Sequence, residues 1–277
     1  MFFSLLKIEL RKCLNRERIS KTVLFETIII AVISFWLFYG KNPSYFGSYA
    51  NFHYFINHHT VALIVTLLMI FPLLGSLAVG DFYEESPEQR APVLCRSKSS
   101  IFWMARYFLV FVLGFLNVFY ILELLTVFEH ICISDTTKMY ITDNSSMIDF
   151  AYPELSGVLF LPFIMHHAHF FFHLYIIALS IFSGACCCLS YSINLLFKQS
   201  FVGYVGGFVI VFFASFFLML FQGKTQVFAY FNMFSLITDV SRAGEIKNCV
   251  LLCIWIAIML ALSFILFFMQ RRSGDEK

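Results

Sequence analysis

The sequence predicts an all-α membrane protein with six transmembrane helices preceded by a cytoplasmic interfacial amphipathic helix, both termini cytoplasmic. Three observations predict it. Of 277 residues, 60% are hydrophobic and 13% charged, whereas an average soluble domain is about a quarter charged. A water-soluble surface has to be mostly polar, so this chain needs lipid as solvent. Second, apolar runs of about 20 residues, the length that crosses a hydrocarbon core as a helix, recur along the chain. Helices are the form required, because open strands leave backbone groups unpaired in lipid. Third, the cations are asymmetric. All but five of the 19 Lys and Arg fall on one side, the exceptions being Lys41, Lys138, Lys224, Arg242 and Lys247. The positive-inside rule makes the crowded side, with both termini, cytoplasmic.

Residues 1–21 form the interfacial element. Phe3, Leu6, Leu10, Cys13 and Leu14 fall near one helical face, and Lys7, Arg11, Asn15 and Arg18 near another. Such a helix lies in the headgroup layer of the inner leaflet, with Lys7, Arg11 and Arg18 toward the lipid phosphates. The first long apolar run begins too late for a cleavable signal peptide. The transmembrane domain, 22–277, then has spans at Thr22–Tyr39, Val61–Val79 (kinked at Pro72), Tyr107–Phe128, Leu174–Phe197, Phe201–Phe221 and Cys249–Met269. A cytoplasmic loop, 80–106, joins the second and third spans. Outer loops cover 40–60, 129–173 and 222–248, and the last is apolar enough for a re-entrant helix.

Acids inside spans are functional candidates by default, because a buried unpaired charge is costly. Glu26 and Glu123 each have two readings: a pathway or gate residue, or a locally paired one, with Lys21 or a lipid amine within reach of Glu26. Gly203 and Gly207 form a GxxxG that permits close helix approach, within the subunit or across a dimer. The eight Cys include the triplet Cys186–Cys188 and no CxxC. They read as small buried residues with reduced thiols.

Catalytic and nucleotide motifs fail. A phosphate-cradling loop needs GxxxxGK[ST]. The stretch GSLAVGDF puts Asp81 and Phe82 where Lys and Ser or Thr belong, and GKT at Gly223–Thr225 has Leu218 in place of the first Gly. No ATP binding, no enzyme activity, no cofactor and no nucleic-acid partner is expected of this chain. His166, His169 and His173 share a helical face at a spacing that can hold a metal. No Cys or carboxylate is interleaved with them, and an interfacial role with polar ring tips stands beside the metal reading.

The loop is chemically the most distinctive stretch. Ser86 can cap a short helix, Pro87 suits its first position and Gln89 is the capping-box partner. Glu84, Glu85 and Glu88 gather at the end the helix dipole favours, ahead of Arg90. Val93 and Leu94 follow as an apolar patch. The element either docks a soluble partner and passes a push into the spans, or is a solvated hairpin that fixes topology.

With the amphipathic N-terminus and six spans, the stretch GDFYEESPEQRAPVLCRSKSSIFWMAR resembles the membrane subunit of type-2 ABC exporters of bacterial cell membranes. The matching positions are Glu84, Glu85, Ser86, Glu88, Ser97, Lys98 and Arg106. Ser86-Pro87 stands where that family commonly has Gly-Thr, and Cys95 where it often has proline. The resemblance implies a permease that pairs with itself or a sister chain and binds a cytoplasmic ABC ATPase carrying ATP and Mg. The ATPase contact would be Glu84, Glu85, Ser86, Pro87, Glu88, Gln89, Arg90, Val93 and Leu94. The cargo would be a hydrophobic or amphipathic peptide such as a bacteriocin, a drug or a lipid, moved outward. Two other classes remain: a membrane metal-handling protein or enzyme using His166, His169 and His173, and a non-transporting immunity or assembly factor.

Overall fold

A computed structural model describes residues 2–14, 17–38, 73, 75–80, 82, 99–132, 168–197, 199–221 and 246–275. The described structure is all helical: α1 (Phe2–Leu14), α2 (Glu17–Phe38), α3 (Ser99–Cys132), α4 (Ala168–Phe197), α5 (Ser200–Phe221) and α6 (Ile246–Asp275). Residues 75–78 add a short helical stretch. Two helices are long and apolar enough to cross a membrane, over Ser100–Leu124 in α3 and Ile176–Phe197 in α4. The coupling segment Glu84–Leu94, most of the second span, the outer-loop residues 133–167 and the re-entrant candidate at 222–245 lie outside the described residues.

Helices outrun the apolar runs that announce them. α3 begins at Ser99, not Tyr107, and α4 at Ala168, not Leu174; α6 extends from Ile246 to Asp275. A backbone hydrogen-bond ladder continues into polar flanks that an apolarity criterion excludes. The N-terminal element also divides differently. α1 stops at Leu14, and residues from Glu17 onward belong to α2.

α4 is the centre of the fold. Every residue from Phe182 to Leu195 is buried, and the helix packs against α3, α5 and α6. Its stretch SGACCCLS explains why: small side chains let neighbouring backbones come close. Cys13, Cys186, Cys187 and Cys188 are free and buried, as the sequence predicts, while Cys253 is exposed. Val79, Phe82, Leu109, Val110, Leu113, Tyr191, Leu195 and Phe267 complete a shared core with Cys13, Cys187 and Cys188. α1 and α2 also pack against α3.

Within a largely apolar core, several small polar side chains are buried, and many large apolar side chains face outward. Ser180, Ser183, Ser190, Ser192 and Asn194 of α4 are buried, as is Ser263 of α6. Leu24, Phe25, Phe108, Phe213 and Ile265 face outward. Several of these hydroxyls bond locally or across helices, while Ser183 Oγ has no hydrogen-bond partner among the described residues. Ser180 Oγ donates to the Ile176 carbonyl at 2.7 Å and Ser192 Oγ to the Cys188 carbonyl at 3.0 Å. The Tyr107 hydroxyl bonds the Ser263 hydroxyl and so ties α3 to α6.

Candidate functional site

The most concentrated polar chemistry lies where α1 meets the start of α3. Leu5, Glu9 and Cys13 form the buried row of α1, one turn apart. A carboxylate in that row demands a cation, and Arg106 of α3 supplies it. Arg106 Nε and Nη2 both donate to Glu9 Oε2, at 3.1 and 3.0 Å. Lys12 Nζ donates to the other oxygen, Oε1, at 3.0 Å. Glu9 and Arg106 are each 1% exposed. The guanidinium also lies over two aromatic rings, 4.4 Å from the Phe102 centroid and 5.4 Å from that of Phe82. Buried charge of this kind persists only where hydrogen bonds and partners compensate the lost hydration, and here both are present.

Arg106, a position of the family resemblance, is thus buried against Glu9. Of the residues placed on the apolar face of α1, Leu6, Leu10 and Cys13 pack on the protein core, while Phe3 is 80% exposed. Glu9 has a signal in the sequence: it stands four residues after Leu5 and four before Cys13, inside the apolar row.

Two described residues that flank positions 83–98 meet at Arg106: the Phe82 and Phe102 rings both lie against its guanidinium. Glu84, Glu85, Ser86, Pro87, Glu88, Gln89, Arg90, Val93 and Leu94, the expected ATPase contact, lie outside the described residues.

Farther along α3, a polar seam joins it to α2. Asn117 Nδ2 donates to Glu26 Oε1 at 2.8 Å. The Thr27 and Tyr120 hydroxyls bond each other at 2.8 Å. Glu26 is 1% exposed, and its Oε2 has no hydrogen-bond partner among the described residues. The described partner of Glu26 is thus an amide of α3, while Lys21 is exposed one turn earlier in α2. Glu26→Gln keeps the volume and the acceptor toward Asn117, so stability is expected within about 1 kcal/mol of the parent. Glu26→Ala removes that acceptor and opens a cavity, and should cost about 2–3 kcal/mol in a denaturation experiment. A pathway role would appear as transport lost in Glu26→Gln with stability kept.

Glu123 and His173, singled out separately in the sequence, meet. His173 Nδ1 and Glu123 Oε1 are 2.8 Å apart, bridging α3 and α4 at a half-exposed position. His169 lies one turn earlier in α4, its side chain outside the described residues, and His166 lies outside them altogether. Among the described residues no group of three metal-ligating side chains gathers.

Gly207 is used within the chain. Its N–H donates to Ser190 Oγ of α4 at 2.9 Å, and a Cβ there would meet the Cys186 carbonyl oxygen at 2.6 Å. Gly203 is buried on α5 one turn earlier. Lys7 and Arg11 are exposed on α1, while Arg18 belongs to α2, its side chain outside the described residues. Beyond Glu9, sequence reasoning missed Asn117, Thr27, Tyr120 and the Tyr107–Ser263 pair. Isolated polar residues in apolar runs are the signal for all of them. Comparison with family models, with curated proteins and with solved structures finds no match.

Proposed function

We propose that the chain is the transmembrane subunit of an ATP-driven exporter of the type-2 ABC kind, with six spans and both termini cytoplasmic. In this reading a separate ATPase binds the cytoplasmic loop and drives a hydrophobic or amphipathic substrate outward. Two helices long and apolar enough to cross a membrane, and the many large apolar side chains that face outward, support a lipid environment. One observation supports the coupling role: the described residues on either side of the segment, Phe82 and Phe102, both pack on Arg106, which is paired with Glu9 of α1. A loop rooted in this way moves with α1, α3 and the core beneath them, whereas a topology-setting hairpin needs no such root.

The test is charge reversal at Glu84, Glu85 and Glu88 in the complex purified from its native host. A cytoplasmic ATPase should copurify with the parent chain. The triple variant should lose the bound ATPase, or keep it and hydrolyse ATP without transport. Purification with no ATPase, together with full activity of the variant, would sink the reading.

A further inference from the structure

We infer that the outer row of α1, built from Phe3, Lys7 and Arg11 with Ile8 beside it, is a binding surface for anionic phospholipid headgroups. The inference rests on the membrane reading above and adds a lipid preference to it. Phe3, Lys7 and Arg11 recur at intervals of four residues and so share one side of the helix. All three are exposed, as is Ile8. The apolar residues that an interfacial helix normally offers to lipid are committed elsewhere, because Leu6, Leu10 and Cys13 pack on the protein core. What α1 has left for the membrane is therefore its basic row, edged by an aromatic and a branched apolar side chain.

Charge balance sharpens the ligand class. Glu9 is the acid of α1, and it is buried with both oxygens engaged by Arg106 and Lys12. The outer row thus presents cations with no acid among them. α2 follows directly, with Lys21 exposed near its start and Leu24, Phe25, Ile28 and Val32 exposed beyond. A surface that passes from basic to apolar within two turns matches a leaflet, phosphate first and acyl chain next. An acidic protein would leave the apolar stretch uncovered.

The experiment titrates the full-length protein in mild detergent with phosphatidylglycerol, phosphatidylcholine or polyglutamate and follows Tm. Phosphatidylglycerol should raise Tm, phosphatidylcholine and polyglutamate should not, and added salt should weaken the effect. Lys7→Gln with Arg11→Gln should leave the lipid-free Tm unchanged, because both side chains are exposed, and weaken apparent affinity for phosphatidylglycerol about thirtyfold. Equal shifts with both lipids, a salt-independent shift, or an unaltered titration in the double variant would each overturn the inference. A polyglutamate shift as large as the lipid's would overturn it in favour of an acidic protein partner. Alkaline carbonate extraction separates the two levels: release of the chain from membranes defeats the membrane reading and this inference together. Retention without a preference for phosphatidylglycerol defeats only the lipid surface.

Discussion

Replacing Arg106 with alanine is expected to destabilise the chain by about 3–5 kcal/mol, because it leaves the Glu9 carboxylate buried without its main partner. Arg106 gives Glu9 Oε2 two hydrogen bonds and covers two aromatic rings. Glu9→Ala should cost a similar amount for the mirror reason. The double variant Glu9→Leu with Arg106→Met should cost less than either single change, since it removes both charges and refills the space with apolar volume. Arg106→Lys separates charge from shape. An ammonium keeps the charge but loses the planar group and its paired N–H donors, so a loss of about 1–2 kcal/mol is expected. Denaturation in mild detergent reads all four. A loss under about 1 kcal/mol for Arg106→Ala, or a double variant as costly as the sum of its own single changes Glu9→Leu and Arg106→Met, would show that the pair does not act as a unit.

The same series tests the mechanical role. If the chain is the exporter subunit proposed above and the pair roots the segment 83–98, the double variant should keep much of its stability and still lose ATPase-driven transport. An apolar contact of the same volume is non-directional and does not hold α1 in one register against α3. Transport at the parent level in that variant would leave the pair a stabilising contact only.

The helical class was legible because lipid imposes a crude, length-based rule, and long runs such as those inside α3 and α4 satisfy it in any register. Helix ends were less legible. Ser99 to Arg106 is cut off from the apolar run by the charge of Arg106 and so reads as loop, yet it is the first two turns of α3, because a single charged side chain does not interrupt the backbone bonds of a helix. Pairing was hardest to read. Glu9 and Arg106 are 97 residues apart, Glu26 and Asn117 are 91, and Glu123 and His173 are 50. Periodicity constrains faces within one helix and carries no information about which helix lies opposite. Glu26, Glu123 and His173 could be singled out because a polar group in an apolar run is conspicuous. Their partners could not be named, because Asn117 and Tyr120 are unremarkable until α2 is laid beside α3.

Gly207→Ala is expected to cost about 2–3 kcal/mol, at the upper part of the range for overpacking a close contact. The added Cβ would lie 2.6 Å from the Cys186 carbonyl oxygen and closer still to Ser190 Oγ. A rotamer change can relieve the second contact. The first involves backbone in the most deeply buried stretch of α4, so α5 as a whole has to move away. Gly184 sets the limit on the other side of α4, where a Cβ would stand 2.9 Å from the Phe111 carbonyl oxygen of α3. Gly184→Ala should therefore be similarly costly, and the two losses should add to within about 0.5 kcal/mol, since they open different interfaces. The measurement also separates the two roles open to the GxxxG. A helix contact inside the subunit makes the Gly207→Ala loss independent of protein concentration and leaves self-association, read by sedimentation in detergent, unchanged. A dimer contact would make the loss grow as the protein is concentrated and would weaken self-association. The seating of Gly207 on Ser190 and Cys186 of its own chain makes the concentration-independent result the expected one.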